Sequence, residues 1–263
     1  MTTLNWLSLL CVVTTALSLI FFYNYNYYRS QLKQKGSLRS WPIKSISLPE
    51  VDPIFKTNEF GPTLETTVQF IGRGHLIVPG GTSDAEAWVL SVLAKKAKQI
   101  FEFGTCTGKT SYLMALNSSP DARVITLTLS PDQVNNYAKD TVDSKKETQA
   151  ALKESVFTDF IYTNTPEKEK ITQLFGDSKH FDELPYERKM DLIFVDGSHA
   201  LSYVYSDSKK AFAMVKPGGL ILWHDYRGPF FNKDVYKALN KISKEKPLFH
   251  VEGTSFIGYR SNS

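Results

Sequence analysis

The chain has 263 residues, of which 42% are hydrophobic and 22% charged, with a formal net charge of +4. This length suits one α/β domain of about 200 residues plus an appendage. The small charge gives no support for a nucleic-acid partner. The two cysteines, Cys11 and Cys106, are too few for a disulfide framework or a zinc site. We expect a globular domain in which Cys106 fits a tight turn, with a reactive thiol as the alternative.

The N-terminal stretch Trp6–Tyr23 is apolar and carries no charged residue. Its length of about 18 residues is at the lower end of what crosses a bilayer as a helix. Aromatic residues cluster at its end, and a basic segment follows: Arg29, Lys33, Lys35, Arg39 and Lys44. This charge asymmetry predicts a single-pass signal-anchor over residues 1–28, with the following domain in the cytoplasm. A cleaved signal peptide would need basic residues before the apolar run, and a buried core helix is a further alternative.

The next segment, residues 29–78, is basic and contains Pro42, Pro49, Pro53 and Pro62. It is typical of a linker or a loosely ordered cover strand. The main domain is then predicted over residues 79–263. Its first helix begins at Asp84 and runs to about Lys98, because Ser83 and Glu86 form a capping box.

Strands and helices alternate through the rest of the chain. Predicted strands cover Gln99–Phe103, Arg123–Leu129, Ile171–Phe175, Leu192–Val195 and Leu220–Trp223, and a closing hairpin covers Leu248–Val251 and Ser255–Tyr259. Predicted helices cover Lys109–Asn117, Pro131–Ser155, Ala200–Val215 and Asn232–Lys244. This alternation predicts a doubly wound α/β fold with a mostly parallel, seven-stranded sheet.

A glycine turn follows the first strand, with the sequence E-F-G-T-C-T-G over Glu102–Gly108. Gly104 permits a sharp turn, and Gly108 permits close approach of a ligand. The spacing differs from the phosphate-binding P-loop and from G-x-G-x-x-G. Strand, turn and helix in this order are typical of sites for nucleotide-like ligands, and a plain packing turn is the alternative.

Polar groups follow four of the predicted strands. They are Gly104-Thr105, Gly176-Asp177-Ser178, Asp196-Gly197-Ser198-His199 and His224-Asp225. Because the carboxyl ends of parallel strands meet at one edge of the sheet, we expect these groups to lie together around a ligand.

The chain resembles a known family through three stretches and its closing hairpin. These are I-T-Q-L-F-G-D-S, M-D-L-I-F-V-D-G-S-H, K-P-G-G-L-I-L-W-H-D-Y and V-E-G-T-S-F-I-G-Y-R. They resemble the class I S-adenosylmethionine-dependent methyltransferases, in particular the small-molecule O-methyltransferase-like branch with V-D-G-S-H and W-H-D-Y motifs. The resemblance covers about Pro79–Arg260 and implies a Rossmann-like fold that uses S-adenosylmethionine.

The resemblance implies a set of cofactor-binding residues. They are Glu102, Gly104, Thr105 and Gly108 beside the methionine part, Thr128 at the ribose, Asp177 at the adenine amino group, and Asp196 after the fourth strand. The family usually has an acidic residue where this chain has Thr128. A hydroxyl is a weaker acceptor than a carboxylate, so this position departs from the family.

Methyl transfer to an oxygen requires alignment, exclusion of water and removal of a proton. His199 and His224 are the natural bases, with Asp225 beside them. In related metal-dependent enzymes, carboxylates and an Asp-Asn pair hold the ion. Asp196, His224 and Asp225 are therefore candidate ligands for Mg²⁺ or another divalent cation. Whether a metal is used is left open, and a helix-capping role is the alternative for His199.

The sequence thus predicts a membrane-anchored methyltransferase that O-methylates a small molecule, such as a sugar, a polyketide or a lipid-linked acceptor. A catalytically inactive binding module of the same fold is the alternative because of Thr128. An NAD-dependent oxidoreductase is a weaker alternative function, since the G-x-G-x-x-G motif is missing. No nucleic acid is expected as a partner, and the oligomeric state is left open, with a homodimer among the options.

Overall fold

Helices and strands alternate along the computed structural model, which describes residues 3–34, 42–76 and 81–262. The strands are β1 (Ser45–Ile46), β2 (Thr57–Asn58), β3 (Gly61–Pro62), β4 (Gln99–Phe103), β5 (Arg123–Thr128), β6 (Ile171–Phe175), β7 (Met190–Val195), β8 (Val215–Trp223), β9 (Phe249–Val251) and β10 (Ile257–Arg260). The helices are α1 (Thr3–Gln34), α2 (Leu48–Val51), α3 (Asp84–Ala94), α4 (Lys109–Asn117), α5 (Lys145–Glu154), α6 (Leu201–Met214) and α7 (Lys233–Ile242).

The main sheet has the strand order β1-β9-β10-β8-β7-β4-β5-β6. Strands β8, β7, β4, β5 and β6 run parallel, and β10 is antiparallel to β8 and β9. The register aligns Phe103 with Val195, and Val195 with Trp223. The ladder continues one residue further, since the Asp196 amide donates to the Phe103 carbonyl (2.8 Å) and the His224 amide to the Val195 carbonyl (3.1 Å). Asp196 and His224 are therefore held side by side at the carboxyl edge.

This topology confirms the predicted Rossmann-like, mostly parallel sheet with a closing antiparallel hairpin. The sheet has eight strands rather than seven, because Ser45–Ile46 adds a parallel edge strand beside β9. The sequence did not predict this strand since two residues are too short for a periodic signal.

Apolar residues of alternating orientation build a layer on each face of the sheet. Ile100 belongs to the same buried cluster as Val89 of α3. Phe101 and Ile193 belong to the opposite cluster, with Val204 of α6. The period of two along each strand therefore places helices on both faces.

The segment that follows residue 41 packs against this core. Val51, Ile54 and Phe55 are buried, and the Phe55 ring meets Trp88 edge to face, with 5.4 Å between ring centroids. Ile43 is buried in the other layer. The described part of the predicted linker is thus an ordered cover on the sheet.

Two sequence predictions fall partly outside the described residues. The domain boundary predicted at 78/79 lies within residues 77–80, and the basic residues Lys35 and Arg39 lie within residues 35–41. The boundary therefore stays a prediction.

The helix predicted over Pro131–Ser155 is interrupted. The chain forms a 3-10 turn at Pro131–Asn136, and α5 begins only after Ser144, whose hydroxyl accepts from the Glu147 amide (3.2 Å). Asp140 and Asp143 occupy the intervening turn. Such residues hydrogen-bond to nearby backbone and break a helix, so the prediction of one continuous helix was wrong.

The N-terminal helix α1 contains a segment, Ser8–Arg29, that is long and apolar enough to cross a membrane. None of its apolar window is buried against the rest of the chain. An apolar helix with no protein cover is what a bilayer-spanning segment requires. Membrane insertion itself stays a prediction.

Candidate active site

The glycine turn after β4 is built by close backbone contact. Gly104 has φ +95°, and a Cβ at that position would overlap the carbonyl oxygen of Asp196. Gly108 has φ +78° and begins α4, and a Cβ there would lie 2.6 Å from the Tyr162 ring. Both positions therefore require glycine. The turn is pressed against the strand end that carries Asp196.

Beneath the turn, Glu102 is fully buried and accepts hydrogen bonds from the hydroxyls of Thr110, Ser111 and Thr126. Burial raises the pKa of Glu102 to about 7. The Thr105 hydroxyl also points inward, 2.8 Å from the Thr126 hydroxyl. The side chains of Glu102 and Thr105, predicted to bind cofactor, thus join the end of β4 and the turn to β5 and α4.

A first pocket opens beside the turn, between the ends of β4, β5, β6 and β7. Gly104, Thr128 and Asp177 line it, with apolar walls from Leu127 and Leu129. It combines an apolar surface with a few polar groups, as sites for small ligands usually do. The structure therefore brings together three of the residues predicted to bind the cofactor.

The carboxylate of Asp177 is held by the protein. One oxygen accepts from the Tyr203 hydroxyl (2.6 Å) and the Ala138 amide (2.9 Å), and the other accepts from the Lys179 amide (2.9 Å). Tyr203 in turn stacks on Tyr137, with 4.4 Å between centroids. These contacts fix Asp177 in the pocket wall and use most of its acceptor capacity.

Asp207 of α6 is a further polar group in the wall of the first pocket. It is 1% exposed, and both of its carboxyl oxygens are buried with no hydrogen-bond partner in the described residues. Burial raises its pKa to about 7, and the nearby Ser178 side chain opposes this rise. Unpaired buried polar atoms cost free energy, so this pocket is suited to a ligand with hydrogen-bonding groups.

Asp196, His199 and Asp225 form a compact cluster at the same edge. One ligand atom of each lies within 4.8 Å of the others. His199 Nε2 is 2.9 Å from Asp225 Oδ2. Asp225 has φ +63°, a backbone conformation that is uncommon for a residue other than glycine. Two carboxylates and an imidazole are a donor set that suits a divalent cation.

His224 lies behind this cluster and is buried. Its Nδ1 is 2.8 Å from Asp196 Oδ1, and its Nε2 is 3.3 Å from Glu86 Oε2. Burial lowers the pKa of His224, but the carboxylates of Asp196, Asp225 and Glu86 outweigh it and hold the pKa well above its usual value. With both nitrogens facing carboxylates, His224 is placed to orient Asp196. The structure thus groups His199, rather than the predicted His224, with the candidate metal ligands.

Glu86 is a site residue that the sequence assigned only to a capping box. The box is present, since the Ser83 amide donates to Glu86 Oε2 (2.9 Å). Oε1 also accepts from the Ser255 amide (2.7 Å) and hydroxyl (2.6 Å), in the turn before β10. Burial raises the pKa of Glu86, but the His224 charge overcomes it and holds the pKa far below its usual value. One carboxylate therefore joins α3, the hairpin and His224.

The sequence also did not identify Glu147 as a residue of the site. The sequence of α5 is highly charged and predicts a solvated helix face. Its carboxylate is buried, with Oε2 3.5 Å from His199 Nδ1. The hydrogen bond to His199 lowers the pKa of Glu147. Burial lowers the pKa of His199, but the charge of Asp225 and its neighbours raises it well above the usual value. His199 is thus held between two carboxylates.

A second, polar pocket adjoins the first one on the acidic side of the turn. Three cations, Arg73, Lys109 and Arg227, line it together with the cluster of Asp196, His199 and Asp225. The two pockets share Gly104, Cys106, Glu154 and Asp196 in their walls. Two ligands bound in these pockets would therefore meet at the glycine turn.

A comparison with protein families assigns the central part of the chain. A family described as a methyltransferase domain matches residues 101–226, from β4 to just beyond β8. The chain therefore carries a methyltransferase domain. The matched range contains the turn, Thr128, Asp177 and the cluster of Asp196, His199 and Asp225, whereas Arg73 and Arg227 of the second pocket lie outside it. Glu86 lies before it.

Two solved structures have a similar arrangement to this methyltransferase. One is the O-methyltransferase TomG of Streptomyces achromogenes, which is involved in tomaymycin synthesis and was solved with S-adenosylmethionine. Its sequence identity to this chain is 15%, the alignment covers 69% of this chain and 82% of TomG, and the TM-score is 0.48. The other is the SAH-bound methyltransferase PaMTH1 of Podospora anserina, with 18% identity, coverage of 70% and 80%, and a TM-score of 0.48. No curated protein sequence matches this chain.

The thiol of Cys106, in the turn after β4, is unsuited to nucleophilic chemistry. Burial raises the pKa of Cys106 to about 12, and Glu154 contributes to the rise. The thiolate is the reactive form of cysteine, so this thiol stays protonated at neutral pH. The expectation that Cys106 serves the turn rather than a reaction fits this environment.

Proposed function

We propose that this methyltransferase transfers the methyl group of S-adenosylmethionine to an oxygen of a small polar molecule at a membrane surface. The observation that carries the proposal is the junction of the two pockets. The first pocket contains the predicted cofactor residues, and the second contains Asp196, His199 and Asp225. A methyl group at the end of one ligand would face a nucleophile held in the other pocket.

Methyl transfer is an in-line displacement, so the protein chiefly aligns the two reactants and excludes water. The fixed turn at Gly104 supports alignment on the cofactor side. On the acceptor side, Asp196, His199 and Asp225 would hold a divalent cation, which lowers the pKa of a bound hydroxyl. Glu147 orients the His199 ring, and Arg227 Nε pairs with Asp225 Oδ1 at 2.9 Å. These contacts hold the cluster in one geometry.

The lining of the second pocket supports a polar acceptor. Its walls carry charged groups and hydroxyls, including Arg73, Lys109 and Thr107, and no aromatic or branched aliphatic side chain of the described residues. A flat apolar ring would leave these groups without partners, at a cost of about 1–3 kcal/mol each. A sugar or another hydroxylated acceptor, free or lipid-linked, fits the pocket best.

The N-terminal helix supports action at a membrane. Ser8–Arg29 has the length and composition of a span, and the basic residues lie on its C-terminal side. The positive-inside rule then places the methyltransferase domain in the cytoplasm as a single-pass protein. Flotation of the full chain with vesicles after an alkaline wash tests the span, and recovery of the chain in the soluble fraction would contradict it.

Cofactor binding is tested by titration calorimetry with S-adenosylhomocysteine and, separately, with NAD. We expect binding of the first only. Asp177→Ala is expected to weaken the affinity for S-adenosylhomocysteine about 10- to 100-fold, because the variant loses one or two hydrogen bonds to a charged group. Asp182→Ala is the matched control, since Asp182 lies in an exposed loop. Binding of NAD, or equal affinity in both variants, would contradict the assignment.

The acceptor side is tested by metal binding and turnover. Calorimetry with Mg²⁺ or Mn²⁺ is expected to show one site that is lost in His199→Ala and Asp225→Asn while S-adenosylhomocysteine still binds. His180→Ala, on the exposed surface, is the control. Methyl transfer from labelled S-adenosylmethionine to a panel of sugars should fall with a chelator. Full turnover in the presence of the chelator, together with no metal binding, would contradict the assignment of Asp196, His199 and Asp225 as metal ligands.

A further inference from the structure

Two aromatic side chains project from the loop that joins β8 to α7. This loop, Arg227–Asn232, has the sequence R-G-P-F-F-N. The side chain of Phe230 is 90% exposed and that of Phe231 is 59% exposed. The first and last residues of the loop, Arg227 and Asn232, line the second pocket. The aromatic pair therefore stands at the rim of the acceptor site.

Lysine residues surround the aromatic pair. Lys145 and Lys146 at the start of α5 and Lys233 at the start of α7 are exposed. Lys146 Nζ lies 3.5 Å from the Phe231 carbonyl oxygen, so α5 borders the loop directly. We refer to Lys145, Lys146, Phe230, Phe231 and Lys233 as the aromatic-lysine patch.

Two carboxylates that lie close to this patch are buried. Asp234 is buried and accepts from the Ser144 amide (3.2 Å). Glu147 is buried, with Oε2 3.5 Å from His199 Nδ1 and Oε1 3.7 Å from Lys146 Nζ, so it offsets part of the charge of Lys146 and leaves Lys145 and Lys233 without that ion pair. The outward face therefore presents apolar rings among positive charges, a composition typical of protein segments at the surface of anionic membranes.

The apolar helix of the same chain brings a membrane within reach of the patch. Eight peptide steps separate Gln34, at the end of α1, from Pro42, and they span at most about 28 Å. Just after Pro42, Ile43 is buried in the cluster that includes Tyr226 and Val235 on either side of the loop. The tether therefore enters the domain on the face of the sheet that α7 covers, and α7 is the helix that follows the loop.

We propose that the aromatic-lysine patch docks onto the surface of an anionic lipid bilayer, with Phe230 and Phe231 at the level of the headgroups. The inference rests on the membrane anchor of the proposed function. Docking turns the mouth of the second pocket towards the lipid, so that a lipid-linked acceptor reaches Asp196, His199 and Asp225 without leaving the membrane.

The test uses the full chain in vesicles and a tryptophan at the tip of the loop. Phe230→Trp is compared with Phe60→Trp, whose ring is 87% exposed in the β2–β3 turn. Both changes replace one exposed aromatic residue by another, so folding is retained. The vesicles contain brominated phosphatidylcholine and phosphatidylserine, and the wild-type signal is subtracted to leave the fluorescence of the introduced tryptophan. We expect this fluorescence to be quenched in Phe230→Trp and not in Phe60→Trp.

The charge contribution is tested at the two ends of α7. Lys233→Gln lies in the patch, and Lys244→Gln lies beyond the opposite end of the helix. With phosphatidylserine present, Lys233→Gln should reduce the ratio of docked to undocked loops about fivefold, while Lys244→Gln should not. In neutral vesicles the two variants should be quenched equally.

The outcomes separate the two proposals. If the chain does not float with vesicles, the anchor is absent, and the proposed membrane location fails with it. If the chain floats but Phe230→Trp is quenched no more than Phe60→Trp, the docking surface is overturned while the anchor stands. Protection of the Phe230→Trp fluorescence from aqueous acrylamide without quenching by brominated lipid would show a protein contact and would also overturn it.

Discussion

At the scale of single residues, Asp207 shows most clearly how burial sets chemistry. Its neighbours in sequence, Ser206 and Ser208, give it the appearance of an ordinary polar helix position. In the fold, its carboxyl group lies in the wall of the first pocket with both oxygens unpaired. Its pKa is raised from 3.8 to about 7, because burial disfavours the charged form.

This shift predicts a specific pH dependence for Asp207→Asn. Because the folded pKa lies above the unfolded one, the stabilisation by Asp207 is complete below about pH 4 and is lost as the pH rises through 7. Asn is neutral throughout this pH range. The variant should match the wild type near pH 4 and exceed its free energy of unfolding above pH 7 by at most about 4 kcal/mol.

Urea unfolding at several pH values measures this difference, and Asp182→Asn on the exposed loop is the control. A constant offset between variant and wild type from pH 4 to 8 would contradict the assigned pKa. It would show that the carboxyl group has a partner in both protonation states.

At the scale of elements, the turn after β4 illustrates a structure specified by close approach. Its glycines were predicted to permit a sharp bend and contact with a ligand. In the fold, Gly104 also touches the backbone of Asp196 and Gly197, the two residues that follow β7. The turn and the acidic strand end are thus one unit, and a change in either moves both.

We therefore predict that Gly104→Ala costs more than about 3 kcal/mol of stability and abolishes binding of S-adenosylhomocysteine. The methyl group meets backbone atoms that cannot move aside, in addition to the strain of positive φ. Gly253→Ala is the matched control, since Gly253 has φ +80° but open space around its Cβ position. It should cost only about 1–2 kcal/mol.

Thermal unfolding and calorimetry on the two variants separate packing from backbone strain. Equal losses in Gly104→Ala and Gly253→Ala would mean that conformation, and not the contact with Asp196, makes glycine necessary in the turn.

At the scale of the whole molecule, the segment before the methyltransferase domain is part of its core. Ile43, Val51, Ile54 and Phe55 are buried against the sheet and α3. Each contributes about 1.5–3 kcal/mol by burial. Together they are comparable to the net stability of a typical domain, which is about 5–15 kcal/mol.

A pair of truncations tests this dependence. A chain beginning at Pro42 should be soluble and fold cooperatively, because it retains every buried residue of the cover. A chain beginning at Thr67 should lack a cooperative unfolding transition. Circular dichroism melting measures both, and a folded Thr67 variant would show that residues 42–66 are dispensable.

The sequence by itself determined the fold class and the edge of the sheet at which polar groups collect. Periodic strands, the glycine turn and polar residues after β4, β6, β7 and β8 are local features. Parallel strands then bring their carboxyl ends together. For this reason Gly104, Asp177, Asp196, His199 and Asp225 could be predicted to meet before any contact was known.

Only the tertiary structure decided which partners these groups have. Glu86 and Ser255 are 169 residues apart in the chain, and each looks ordinary in its local pattern. The same holds for Glu147 beside His199 and for Asp207 in the first pocket. Their roles depend on burial and on the choice of neighbours, which local periodicity does not encode. The grouping of His199 with Asp196 and Asp225 therefore arises only once the sheet and its covering helices have packed.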